Sequence, residues 1–291
     1  MVMLRAVLAV LFSLGPAFTP GVAAEAADGQ PAASTAGPPV SGQNFTLPDP
    51  GLTMIWIPPG TFRMSGTLGA GDDTVVTLTR GYWLGRTEVT QAQWQALIES
   101  AAVFQYVSVP SFHKGSERPV ERVSWEMAMA YCADLSAQER AAGRLPPGYE
   151  YTLPTEAQWE YACRAGTTGK YAGEIAALAW YEGNSGGETH PVAQKQPNAW
   201  GLYDMHGNVQ EWCADWYGAY PGGRVDDPSG PISGIYRVMR GGSWNSSEGG
   251  CRSALRTYWL GSFSSISLGF RVALAPQTYR PPTENRASLA P

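Results

Sequence analysis

Glycine and proline break this sequence into short pieces, making up 34 and 23 of its 291 residues. Each interrupts regular backbone, glycine through its conformational freedom and proline through its missing N–H. A chain cut this often has little room for long helices or wide sheets. Its 11 tryptophans offer another source of cohesion, because each ring can bury a large area. The expectation is a domain held by aromatic packing and ordered loops.

The ends read differently from the middle. Arg5, the apolar run 6–14 and the small residues Val22-Ala23-Ala24 before Glu25 have the layout of a signal peptide over 1–24. That implies export, to a periplasm or beyond. The apolar run is far short of the roughly 20 residues a spanning helix needs, and no later stretch is long enough. No transmembrane span is therefore expected in the mature protein. Residues 25–48 are rich in Ala, Gly, Pro and Ser and read as a flexible linker. Residues 49–275 form the folded domain, and 276–291 a disordered tail. The net charge of −5, with no stripe of Lys and Arg, argues against a nucleic-acid partner. His113, His190 and His206 are widely spaced and do not suggest a shared metal centre.

Local signals place the elements. Residues 54–62 read as strand, turn and strand. Residues 75–79 alternate like a strand, and 82–85 with 87–89 continue the sheet. Thr90 and Gln93 have capping-box spacing, so a helix runs from Gln91 to about Glu99 and buries Trp94, Leu97 and Ile98. Ser124 caps a second helix with Met127, Ala130, Tyr131 and Leu135 on its apolar face. Thr155 and Gln158 form another capping box, before a helix that buries Trp159, Ala162 and Cys163. Long structured loops are expected from about 164 to 250.

Six ordered motifs then carry a resemblance. They are EVTQAQW at 88–94, RPVERVSW at 118–125, LPTEAQWEYA at 153–162, PNAWGLYDMHGNVQEW at 197–212, RGGSW at 240–244 and LGFRV at 268–272. They resemble the sulfatase-modifying-factor, or formylglycine-generating-enzyme, family over essentially the whole domain. That family also includes a pyoverdine-maturation protein and the C-terminal part of ergothioneine sulfoxide synthase. The resemblance implies an α+β fold, a variant of the C-type-lectin-like fold with little regular secondary structure.

The resemblance also implies sites. In the formylglycine-generating enzyme the stretch equivalent to 204–211 binds calcium. Carried over, Asp204, Gly207, Val209 and Glu211 are the ligands, which suits a cation that takes carboxylate and carbonyl oxygens. The alternative is that Asp204 and Glu211 only fix the loop by hydrogen bonds. The enzyme holds Cu(I) through two cysteines placed two and seven residues after its GGSY. Here those positions are Ser246 and Cys251, so one thiol is missing. Gln210 replaces a tryptophan that lines the enzyme's pocket. Copper is therefore not expected. Ser243, Cys251 and Glu248 remain as candidate catalytic residues of a divergent activity, with Glu248 as a carboxylate base or simply a solvated acid. Tyr258 and Trp259 could line the same groove, or simply pack.

Four cysteines in an exported chain suggest disulfides, with three possible connectivities. Cys132 and Cys163 lie on successive helices. Cys213 and Cys251 flank motifs that meet in the family fold. The expected pairs are Cys132–Cys163 and Cys213–Cys251; buried free thiols are the alternative. Two functions follow. One is an oxidoreductase-like enzyme modifying a protein or small-molecule substrate. The other is a non-catalytic ligand- or protein-binding module on the same scaffold.

Overall fold

A computed structural model describes residues 37–65, 74–100 and 109–276. The expected signal peptide, half of the expected linker and all but the first residue of the tail lie outside the described residues. Among the described residues no helix is long and apolar enough to cross a membrane.

The chain begins with β1 (Phe45–Thr46), β2 (Thr53–Ile57), β3 (Gly60–Met64), β4 (Thr74–Leu78) and β5 (Tyr82–Gly85). Three helices follow with one strand among them: α1 (Gln91–Ser100), α2 (Trp125–Ala141), β6 (Tyr149–Thr152) and α3 (Glu156–Arg164). After a single turn, α4 (Ile175–Leu178), come β7 (Gln210–Trp216), β8 (Gly223–Asp226) and β9 (Tyr236–Arg240). A 3-10 turn at Glu248–Cys251 leads to β10 (Arg256–Leu260), β11 (Leu268–Gly269) and β12 (Ala273–Pro276). The architecture is α+β, as the motifs implied.

The strands form three sheets, ordered β1-β2-β5-β12-β6, β10-β9-β7-β11 and β3-β4-β8. The last strand, β12, lies between β5 and β6 and so closes the first sheet. Residues 87–89, expected to extend this sheet, form no strand. Their backbone is spent elsewhere: Val89 N–H donates to Phe270 and Val89 C=O accepts from Val120. The expected long loop at 164–250 also holds α4, β7, β8 and β9, and 179–209 is its longest stretch free of helix and strand. The expected linker also ends earlier than residue 48. Phe45 and Leu47 are buried, because apolar residues two apart on a strand share one face.

The helix caps match the sequence. Gln93 N–H donates to Thr90 Oγ1 at 3.2 Å and Thr90 N–H to Gln93 Oε1 at 2.9 Å, a reciprocal capping box. Ser124 caps α2 through Met127 N–H, and Thr155 with Gln158 forms the second box on α3. The buried face of α2 is turned from the expected one. Ala128 and Cys132 join Tyr131 and Leu135 inside, whereas Met127 and Ala130 are only half-buried. Helix α3 is buried on every side, including its charges. That is possible because each charge is paired. Glu160 meets Arg164 at 2.8 Å and also Arg240, and Glu156 meets Arg256 at 2.6 Å.

Two main cores result, one around Trp83, Trp94, Tyr131, Trp212 and Phe270, the other around Tyr82, Trp159 and Met205. The fully buried tryptophans contribute about 4–6 kcal/mol each in gross transfer energy, before ordering entropy. Trp159 and Trp212 each donate their ring N–H to a buried oxygen, and Trp83 donates its own to the Gln43 carbonyl.

The expected disulfides are not formed: all four cysteines are free and buried. Packing explains this. Cys132 belongs to the first core, Cys163 and Cys213 to the second, and Cys251 to a small cluster with Ile175 and Ala179. They fill apolar space as small hydrophobes.

Candidate functional site

Two regions carry the sequence-derived site residues. The first is the loop 204–211. Asp204 and Asn208 have φ of 57°, and Gly207 has φ of 114°. Three left-handed positions in five residues fold the backbone back on itself. A Cβ on Gly207 would stand 2.2 Å from Trp180 O, so only glycine fits there. Asn208 N–H donates to Trp180 O, and Gly207 N–H to Gly241 O, which ties the loop to the RGGSW motif.

Buried charge fixes the loop from below. Glu88 accepts from Val209 N–H at 2.9 Å and from the Asn208 amide at 2.8 Å. Glu211 is held by Arg271 through two bonds of 2.6 Å and by the Trp159 ring N–H at 2.7 Å. Arg271 also donates to the carbonyls of Gly85 and Tyr203. Asp204 Oδ2 accepts from Ala193 N–H, whereas Asp204 Oδ1 is buried without a partner. Three carboxyl groups, Glu88, Asp204 and Glu211, thus face one guanidinium, and all four residues are 2 % exposed or less. Burial, reinforced by Asp204 and Glu211, drives the Glu88 carboxyl well above its usual value. Burial also lifts Asp204 to about 6, against the opposing pull of the Ala193 N–H and Arg271.

This cluster is short of positive charge and has one orphaned carboxylate oxygen. Both features fit a cation. Among the described residues no three His, Cys, Asp or Glu side chains converge as a metal site. A cation here would therefore depend on main-chain oxygens beside Asp204. Glu88 and Arg271 were visible in the sequence only as members of motifs. For Arg271 a signal was present, a lone base in the apolar run 268–275; Glu88, among the polar residues of 86–91, had none.

The second region is the turn after RGGSW. Ser243 Oγ donates to Asn245 Oδ1 at 2.7 Å and lies 3.0 Å from Ser246 Oγ, which itself accepts from Ser243 N–H. The two serines satisfy each other. Cys251 is buried, and the Gly242 backbone presses on it so closely that a Cβ there would meet Sγ at 2.7 Å. Burial pushes its thiol up to about 12, with the Ser243 N–H opposing and Glu248 adding. A thiol held protonated is not a ready nucleophile. Glu248 is exposed and accepts from Tyr171 OH at 3.4 Å. Gln210, in place of the pocket tryptophan, reaches Thr257 on β10 at 3.0 Å. One buried thiol beside a serine does not fit the two soft thiolates that Cu(I) prefers.

The histidines stay apart. His113 packs edge-on to Trp244, and His190 stacks on Trp180 at 3.8 Å. His206 is a buried strut. Its Nε2 accepts from Ala172 N–H, so Nδ1–H donates to Cys251 O at 2.8 Å. Burial holds this ring neutral, with its pKa down at about 4.

Comparison with known proteins agrees with this geometry. The family model described as the sulfatase-modifying factor enzyme 1-like domain matches residues 41–276. The chaperone protein LppX of Paenibacillus barcinonensis is 31% identical over 255 residues, covering 70% of this chain and 81% of LppX. The formylglycine-generating enzyme of Streptomyces coelicolor is 37% identical over 177 residues, covering 53% of this chain. The chain spans only 52% of that enzyme's length. Among solved structures, PvdO from Pseudomonas aeruginosa superposes with a TM-score of 0.70 at 28% identity, over 81% of this chain and 99% of PvdO. Treponema denticola variable protein 1 gives 0.67 at 32% identity, over 80% and 99%.

Proposed function

The chain belongs to the sulfatase-modifying factor enzyme 1-like family, and from that premise we propose that it is an exported binding module of the family that recognises a protein or small-molecule partner without copper chemistry. One observation carries this reading. Where the resemblance places the family's two copper thiols, this chain has Ser246, hydrogen-bonded within its own turn, and the single buried Cys251. The remaining candidates offer no alternative machinery. Ser243 has no base beside it, since its hydroxyl is spent on Asn245. Glu248 is exposed at the rim of the turn, where it can contact a partner. The name of the relative LppX, a chaperone protein, supports a partner that is a polypeptide.

The test has two arms. The purified chain is titrated with Cu(I) and offered a cysteine-containing sulfatase peptide with oxygen. No stoichiometric uptake and no aldehyde product are expected; formylglycine in the peptide would refute the reading. A photo-crosslinking residue at position 248, in the producing cells, should yield a covalent adduct. No adduct at 248 would also count against it.

The same reading includes calcium as a structural brace. Asp204, through its unpartnered Oδ1, would hold the ion with the carbonyls of Gly207 and Val209, while Glu211, its two oxygens held by Arg271 and Trp159, would add charge nearby. The ion would supply positive charge to a cluster that has three carboxyl groups and one guanidinium. Chelation should lower the unfolding midpoint of the native chain and leave that of Asp204→Asn unchanged. Export is tested by the N-terminal residue of the mature protein, expected to be Glu25.

A further inference from the structure

A cavity of about 300 Å³ lies away from both regions above and shares no lining residue with either. It opens between the three-stranded sheet, the start of α3 and the end of β7. Met64, Val76, Pro221, Val225 and Pro228 make its walls apolar, and Asp215, Glu156 and Arg256 gather at its polar end. The volume is at the small end of organic-ligand sites, and the make-up, apolar walls with a few fixed polar groups, is theirs as well.

The signs of the polar groups decide what fits. Arg256 is already committed. It grips Glu156 with bonds of 2.8 and 2.6 Å, donates to Gly218 O, and is stacked between the rings of Tyr217 and Tyr220. Tyr220 OH adds a bond to Glu156 at 3.1 Å. Glu156 is therefore neutralised. Asp215 has no such cation: it is 4 % exposed, and its Oδ2 accepts from the Glu156 N–H at 2.8 Å. Among the described residues Asp215 makes no ion pair. The strap Pro228–Pro231 seals it from one side, since a Cβ on Gly230 would stand 3.0 Å from Asp215 Cβ. The cavity is thus the open side from which a counter-charge can come.

We propose that this cavity binds a small organic cation, an apolar body bearing one protonated nitrogen, with the nitrogen paired to Asp215. An anion would meet two carboxyl groups, and a neutral molecule would leave Asp215 without its partner. The chemistry of the unliganded site agrees. Burial, with Glu156 adding and the Glu156 N–H and Arg256 opposing, lifts the Asp215 carboxyl to about 8. A bound ammonium would hold it ionised.

Benzylammonium, benzyl alcohol and benzoate are titrated into the full chain by calorimetry or protein-observed NMR. The ammonium should bind saturably, and the alcohol and the acid about tenfold more weakly or worse, as expected for loss of a charge-assisted contact. Asp215→Asn keeps an acceptor for the Glu156 N–H and should weaken the ammonium by a similar factor. Val225→Phe, which fills the cavity without touching a charge, should abolish binding and decides the matter if the Asn variant fails to fold. Absence of ammonium binding, equal binding of the alcohol, or unchanged affinity in either variant overturns the proposal.

Discussion

Replacing Arg271 by Met should remove a large share of the stability margin of this domain. Arg271 is fully buried and makes four hydrogen bonds, two to Glu211 at 2.6 Å and one each to the carbonyls of Gly85 and Tyr203 at 3.0 Å. Methionine fills similar space but strands the Glu211 carboxylate and orphans two main-chain oxygens. Breaking a buried pair from one side costs about 3–5 kcal/mol, and the orphaned carbonyls push the cost toward the upper figure. Domains of this kind have about 5–15 kcal/mol in total, so the expected fall in melting temperature is about 6–20 °C. The assay is equilibrium unfolding in urea with calcium chelated, because a cation at Asp204 would mask part of the charge imbalance. The double variant Arg271→Met, Glu211→Gln removes the stranded charge. It should be more stable than Arg271→Met alone by at least about 1 kcal/mol. A loss below about 1 kcal/mol in the single variant, or strict additivity in the double, would show that Arg271 does not neutralise this cluster.

Three further outcomes follow from particular residues. Gly207→Ala should cost more than the roughly 1–3 kcal/mol of backbone strain, because its Cβ meets Trp180 O, whereas Gly201→Ala, also at positive φ but in open space, should cost the strain alone; unfolding midpoints of the two compare them directly. Asp215, with an ordinary value of 3.8 raised to about 8, keeps in the folded chain a proton that the unfolded chain releases. Its contribution is complete below about pH 4 and is lost as pH climbs through about 8, so Asp215→Asn should flatten the fall of stability across that window. Cys132, Cys163, Cys213 and Cys251 are free and 0 % exposed, so a thiol reagent should find none in the native protein and four after unfolding without reductant. Fewer than four would mean that bridges form.

Much of the local structure was legible because its causes are local. A Thr or Ser hydroxyl reaches an amide three residues on, so the caps at Thr90, Ser124 and Thr155 could be read directly. The strand, turn and strand read at 54–62, the alternation at 75–79 and the continuation at 82–85 correspond to β2 to β5 within a residue or two. The α2 face was read slightly turned, because Ala128 and Cys132 are buried by the first core, which other elements complete. The candidate site divided in the same way. The motif positions of Asp204, Gly207, Glu211 and Cys251 were readable. The free state of the thiols and the closed hydrogen bonding of Ser243 and Ser246 were not.

The amino-acid sequence by itself determined the family, the α+β class and the helix starts. Each depends on residue identity or on neighbours a few positions apart. Tertiary structure alone decided which charges meet. Arg271 finds Glu211 60 residues away and the Gly85 carbonyl 186 residues away, and Arg256 finds Glu156 across 100. No periodicity encodes such distances. They are set by how the three sheets stack, and in a buried, low-dielectric interior that stacking fixes which carboxyl group is neutralised and which, like Asp215, is left facing a cavity.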